Sequence, residues 1–161
     1  ENALAKARHA ARASGAAAIA DDSGLMVDAL DGEPGVLSAR FSGPDADDDS
    51  NNRELLRRLA ELDLTRRSAR FVSAAAFVSR DGNERVAEGA VHGVVIDTPR
   101  GANGFGYDPL FEIHDLAAPS FNGRTMAELT IDEKNAISHR GRAVRALITD
   151  LRAHGLLAQR D

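Results

Sequence analysis

Cysteine is absent from this chain of 161 residues, so it has no disulfide framework and no thiolate metal site. That composition fits a reducing compartment. Long apolar runs are absent too. None approaches the about 20 residues that a membrane-spanning helix needs, and the opening residues carry mixed charge, unlike a secretory leader. The expectation is a cytoplasmic protein with no membrane partner. Positive charge is in deficit: 20 Lys and Arg against 25 Asp and Glu leave a net charge of −5, which argues against wrapping a nucleic acid polymer. A small anionic substrate stays open, because a local basic pocket or a metal ion can outweigh the global sign. Aromatic residues are scarce at 4%, so any cluster of them carries information.

What is present is an ordinary globular composition, 43% hydrophobic and 28% charged, at a length that favours one domain over residues 1–161. The chain opens with Glu-Asn-Ala in what already reads as mid-helix, so a segment upstream of Glu1 is expected.

Residues 2–14 are alanine-rich with interspersed basic groups, which predicts a helix stopped by Gly15, with Lys6 on the same face as Asn2. Residues 16–20 read as a short buried strand. Leu25 to Leu30 reads as a second apolar piece, closed by turn signals at Asp31-Gly32 and Pro34-Gly35. Residues 45–50 (DADDDS) invite a calcium-loop reading, but Ser50 and Leu56 stand where that loop requires Gly and Glu. They are read instead as a loop and helix N-cap, before a helix whose apolar stripe is Leu55, Leu56, Leu59 and Leu62. Residues 69–79 and 84–97 predict strands around the hairpin dipeptide Asp81-Gly82, with Gly89 and Gly93 marking a bulge or a close backbone approach. Val144, Leu147, Ile148 and Leu151 recur at helical spacing up to Gly155. Helices and strands interleave, giving an α/β class.

Three stretches carry chemistry. Asp21-Asp22-Ser23-Gly24 follows the first apolar run as a strand end with a sharp turn behind it. A carboxylate there is costly to desolvate unless a cation sits opposite. A metal, a lysine or a metal-bound phosphate would serve, and a plain capped turn is the alternative. In Pro99 to Pro109, Gly101, Gly104 and Gly106 surround Phe105 and the sole tyrosine, Tyr107. That is either a platform for a flat heterocycle or a long turn whose aromatics plug the core. Thr130 and Glu133 have capping-box spacing, and Ser138 can cap the following helix. His139 and Arg140 then fall in a first turn where cations are unfavourable unless an anion is bound there, and Lys134 lies just upstream. The alternative is a surface helix start whose cations pair with nearby acids.

The blocks AIADDSGLMVDALDGEPGVLSARFSG, GFGYDPLF and AELTIDEKNAISHRGRA, in this order, resemble the signatures of the inosine triphosphate pyrophosphatase, or Ham1-like, family. The resemblance runs from Glu1 to about Leu157. It implies an elongated mixed β-sheet flanked by helices, two lobes with a central cleft, and a homodimer. It also implies Mg2+-dependent hydrolysis of ITP, dITP and XTP to the monophosphate and pyrophosphate. Carried over by position, it makes Asp22 the catalytic and metal-site carboxylate and Lys6 an active-site lysine. Ser23, Phe105, Gly106, Tyr107, Asp108, Lys134, His139 and Arg140 become substrate contacts. The family's first strand, its Ser/Thr-Gly-Asn-x-x-Lys loop and a following glutamate do not precede Glu1, and residues 117–124 form a longer loop than in compact members. Two rival readings follow: a nucleotide-binding homologue without turnover, and a hydrolase for another modified nucleotide.

Overall fold

The computed structural model describes residues 1–157. Helix α1, Asn2–Ser14, ends at Gly15, whose φ of 65° and N–H bond to the Ala11 carbonyl form a left-handed cap. Strand β1 is Ala18–Val27. Helix α2, Asp48–Leu59, starts at Asp47, whose side chain and that of Ser50 cap each other's backbone N–H groups. Strands β2, Ser68–Val78, and β3, Glu84–Val95, form a hairpin closed by the Ser79 N–H bond to the Asn83 carbonyl. The short β4, Phe111–Ile113, pairs antiparallel with β3, with Gly93 opposite Ile113 and Val95 opposite Phe111. Helices α3, Ile131–Ile137, and α4, His139–Ala153, follow. The four strands form one sheet in the order β1-β2-β3-β4, and the α/β class stands. Among the described residues no helix is long and apolar enough to cross a membrane.

One expectation needs correction. The acidic stretch is not a strand end followed by a turn: β1 runs through Asp21, Asp22, Ser23 and Gly24 without a break. Gly24 is there for room. A Cβ on it would lie 2.2 Å from the Gly35 carbonyl oxygen, so the neighbouring backbone demands the missing side chain.

The chain divides into two compact units. Among the described residues the first comprises Glu1–Ser23, Val72–Ala90 and residues 138–157. Its core is layered on the alternation of β2. Ala74, Ala76 and Val78 cluster with Ala3, Ala7 and Ala11, the small stripe of α1. Ala75 and Phe77, on the opposite face, cluster with Ala143, Leu147 and Leu151 of α4. Gly89 admits α4 to the sheet, since a Cβ there would lie 2.4 Å from the His139 carbonyl oxygen and the Ala143 nitrogen. Gly93, in the other unit, likewise makes room for Glu112, so both glycines mark close approaches.

The second unit comprises Gly24–Phe71 and Val91–Ile137. Leu55 and Leu59 of α2 are buried among Leu25, Val27, Phe71, Val91, Tyr107, Phe111 and Met126. Leu56 and Leu62 pack at the edge of that cluster, completing the stripe expected from the sequence.

Candidate active site

Asp22 and Lys6 meet in the first unit. Lys6 Nζ lies 2.6 Å from Asp22 Oδ1, and Asn2 Nδ2 donates to Asp22 Oδ2 at 3.2 Å. Asn2 and Lys6 stand one helical turn apart on α1, so one face of the helix presents both donors to one carboxylate. Partial burial pushes the Asp22 carboxyl up, but the hydrogen bonds from Lys6 and Asn2 and the lysine charge outweigh it and hold the group below the usual aspartate value. Lys6 keeps 56% of its side chain exposed, so it is free to reach a ligand oxygen while staying near Asp22.

The Asp21 side chain has different partners, as strand alternation requires, although its backbone carbonyl also accepts from Lys6 Nζ at 3.2 Å. Its Oδ2 lies 2.6 Å from Arg140 Nε and accepts a 3.3 Å bond from the Ser23 hydroxyl. The cation in the first turn of α4 is therefore offset by a protein carboxylate, as the reading of paired surface charges anticipated. Arg140 uses its Nε in this way, and a guanidinium carries five N–H donors. His139, by contrast, is buried at the start of α4, which Ser138 caps by accepting from the Gly141 N–H at 3.1 Å.

The glycine-rich loop lies in the second unit and separates its two aromatics. Phe105 is 63% exposed, and Lys134 Nζ stands 4.7 Å from its ring centroid, within cation–π range. Lys134 pairs with the buried Asp108, whose Oδ2 also accepts from the Phe105 N–H at 2.9 Å. Gly104 is obligatory at this point: its φ is 83°, and a Cβ would lie 2.0 Å from Asp108 Oδ2. Tyr107, the second expected substrate contact of this loop, lies on its other side. Its ring is buried in the core and its hydroxyl donates to the Ser38 carbonyl at 2.8 Å, so it plugs the loop from beneath. Burial, then the charge of Asp48, pushes the phenol up. Gly106 and Asp108, also expected to contact substrate, are built into the same loop. Both have protein partners, and they hold the loop in shape.

Sequence reasoning missed two supports of that loop. Asp48 Oδ2 accepts from the Gly106 N–H at 2.7 Å, and Asn52 Nδ2 donates to the Gly106 carbonyl at 3.0 Å. The available signal was the i, i+4 spacing of two polar side chains on α2, but Asp48 is equally an ordinary acid of a helix first turn.

Among the described residues no group of three or more His, Asp or Glu side chains is placed to hold a metal ion. Magnesium does not need such a cage. It keeps several waters and binds through one or two carboxylates together with substrate phosphates. Asp22, ionised and partly exposed, fits a protein carboxylate of such a set.

Comparison with known proteins identifies the family. The model of the Ham1 family matches residues 1–150. The dITP/XTP pyrophosphatase of Geobacter sulfurreducens is 51% identical over 150 residues, covering 93% of this chain and 72% of the relative. The Staphylococcus aureus Ham1 protein superposes with a TM-score of 0.84 at 40% identity, covering 95% of this chain and 76% of that one. A HAM1 protein from Coxiella burnetii gives 0.83 at 44% identity, covering 94% and 75%. The chain belongs to the Ham1 family.

Proposed function

We propose that this chain is a nucleoside-triphosphate pyrophosphatase that hydrolyses dITP, XTP and ITP to the monophosphate and pyrophosphate, removing deaminated purines from the nucleotide pool. Water attacks the α-phosphorus, the bond from that phosphorus to the α–β bridging oxygen breaks, and pyrophosphate leaves. The observation that carries the proposal is the Asp22 carboxylate, kept ionised by Lys6 and Asn2 in a Ham1-family chain whose relatives are dITP/XTP pyrophosphatases.

Each residue has a role that follows from its surroundings. Asp22 orients the attacking water and would be a protein ligand for Mg2+. A carboxylate held below its usual pKa is a weak base and a good ligand, so charge and orientation are its larger contributions. Bound there, Mg2+ supplies neutralisation of the triphosphate charge. Lys6 offers a mobile cation to the phosphates, and Ser23, on the same strand, contacts the substrate beside it. Phe105 stacks on the base, with Lys134 held against its ring by Asp108. His139 and the remaining donors of Arg140 read the 6-oxo group of hypoxanthine or xanthine. Adenine carries an amino donor at that position, so donor meets donor and buried groups are left unpaired. The protein works as a homodimer in the cytoplasm.

The test is pyrophosphate release from dITP, XTP, ITP and ATP with Mg2+. The proposal expects kcat/KM for the 6-oxo purines to exceed that for ATP by at least about 100-fold. Equal values overturn the specificity, and bound nucleotide with no pyrophosphate favours the binding protein without turnover.

A further inference from the structure

Phe105 lies in a loop with three glycines, and its exposed ring has Lys134 on one side but needs a fixed backbone to stay in place. Stacking rewards a ring already in place, because ordering it on binding takes away part of the affinity. The loop is held at the peptide unit next to that ring. Gly106 adopts φ 61° and has both of its backbone polar groups engaged by α2. Its N–H goes to Asp48 Oδ2 at 2.7 Å and its carbonyl to Asn52 Nδ2 at 3.0 Å. The carbonyl only accepts, which fixes the orientation of the Asn52 amide, and the N–H only donates, which requires the Asp48 oxygen. Spacing of i, i+4 brings both side chains to one face of α2 one turn apart. The helix carrying them is anchored by Leu55 and Leu59 in the core. From the other side, the buried Asp108 takes the Phe105 N–H.

We infer that Asp48 and Asn52 are positioning residues that clamp the Gly106 backbone and so preorganise Phe105 as the platform for the purine base. The inference rests on the proposed function and deepens it. Neither residue touches the reacting phosphates in this account, so their loss acts on base binding. A surface pair that merely stabilised α2 would lower the melting temperature and leave KM alone.

The experiment compares kcat and KM for dITP in wild type, Asp48→Ala, Asp48→Asn, Asn52→Ala and Asn52→Asp, each alone and with Phe105→Ala. Losing one clamp bond is expected to raise KM roughly five- to tenfold while kcat changes less than about twofold. Asp48→Asn keeps an acceptor and rescues. Asn52→Asp sets an acceptor against the Gly106 carbonyl and is worse than Asn52→Ala. In the Phe105→Ala background the clamp substitutions add little, because the ring through which they act is gone. Amide exchange at Gly106 gives a reading independent of turnover: its protection falls in Asp48→Ala while the amides of α2 beyond its first turn keep theirs. If the wild type turns over dITP while the variants keep its KM, or if the effects add fully to Phe105→Ala, the clamp is overturned and the function stands. If the wild type neither binds nor hydrolyses dITP, the function falls and takes the clamp's role with it.

Discussion

Asp22 sits between two opposing influences, burial on one side and the donors Lys6 and Asn2 on the other, and the donors win. A depressed carboxyl pKa keeps the group charged well into acid, so protonation of Asp22 does not limit activity near neutrality. Lys6→Met removes the strongest donor and its charge while partial burial remains, so the Asp22 pKa rises. An NMR titration of the Asp22 carboxyl carbon checks this; an unmoved midpoint contradicts the pairing. The two aromatics of the glycine-rich loop make a second contrast. Phe105→Ala removes the exposed stacking surface and is expected to raise KM for dITP about tenfold or more. Tyr107→Phe leaves the Ser38 carbonyl without its donor, costs about 1 kcal/mol of stability and leaves KM unchanged. Unfolding curves and steady-state kinetics on the two variants separate these outcomes. From the sequence both rings were candidates for the base, because the alternation of a short loop does not reveal which side the core lies on.

At the scale of elements, local chemistry was legible and long-range contact was not. The α1 stop at Gly15, the hairpin at Asp81-Gly82 and the Ser138 cap depend on residues within a few positions of one another, and the structure holds them as read. The Thr130–Glu133 capping box is likewise present, with each backbone N–H bonded to the other side chain. Asp21 to Gly24 misled because turn residues were read by local preference, whereas the reason for Gly24 is the Gly35 carbonyl from another segment. Asp48 and Gly106 are 58 positions apart, and nothing local announces their bond. Two predictions belong here. Gly24→Ala forces a Cβ against backbone and is expected to lose about 2 kcal/mol or more, measured by chemical denaturation. A loss under half that would show that β1 can shift. Glu133 is bonded to Arg124 and to the Thr130 N–H, which holds its carboxyl down at about 2. Its folded pKa is below the unfolded value, so its contribution is complete above about pH 4.5 and is lost as pH falls towards 2. Glu133→Gln removes that contribution, and its melting temperature should decline less than that of the wild type across this window. Parallel declines would contradict the assignment.

For the molecule as a whole, a net charge of −5 and the proposed triphosphate substrate are reconciled locally, by cations set beside carboxylates that keep them in place. Lys6 is held by Asp22, Arg140 by Asp21 and Lys134 by Asp108. Each pair keeps a basic group in place without leaving it as a bare charge. The family signatures made the three pairs' members visible in the sequence, but not their pairing. The central claim is that Asp22 is the carboxylate on which pyrophosphate release depends. Its most direct test is kcat/KM for dITP in Asp22→Asn against wild type, with unfolding curves for both. The value for Asp22→Asn is expected to fall at least about 100-fold while the protein stays folded, and undiminished release by this variant would contradict that dependence.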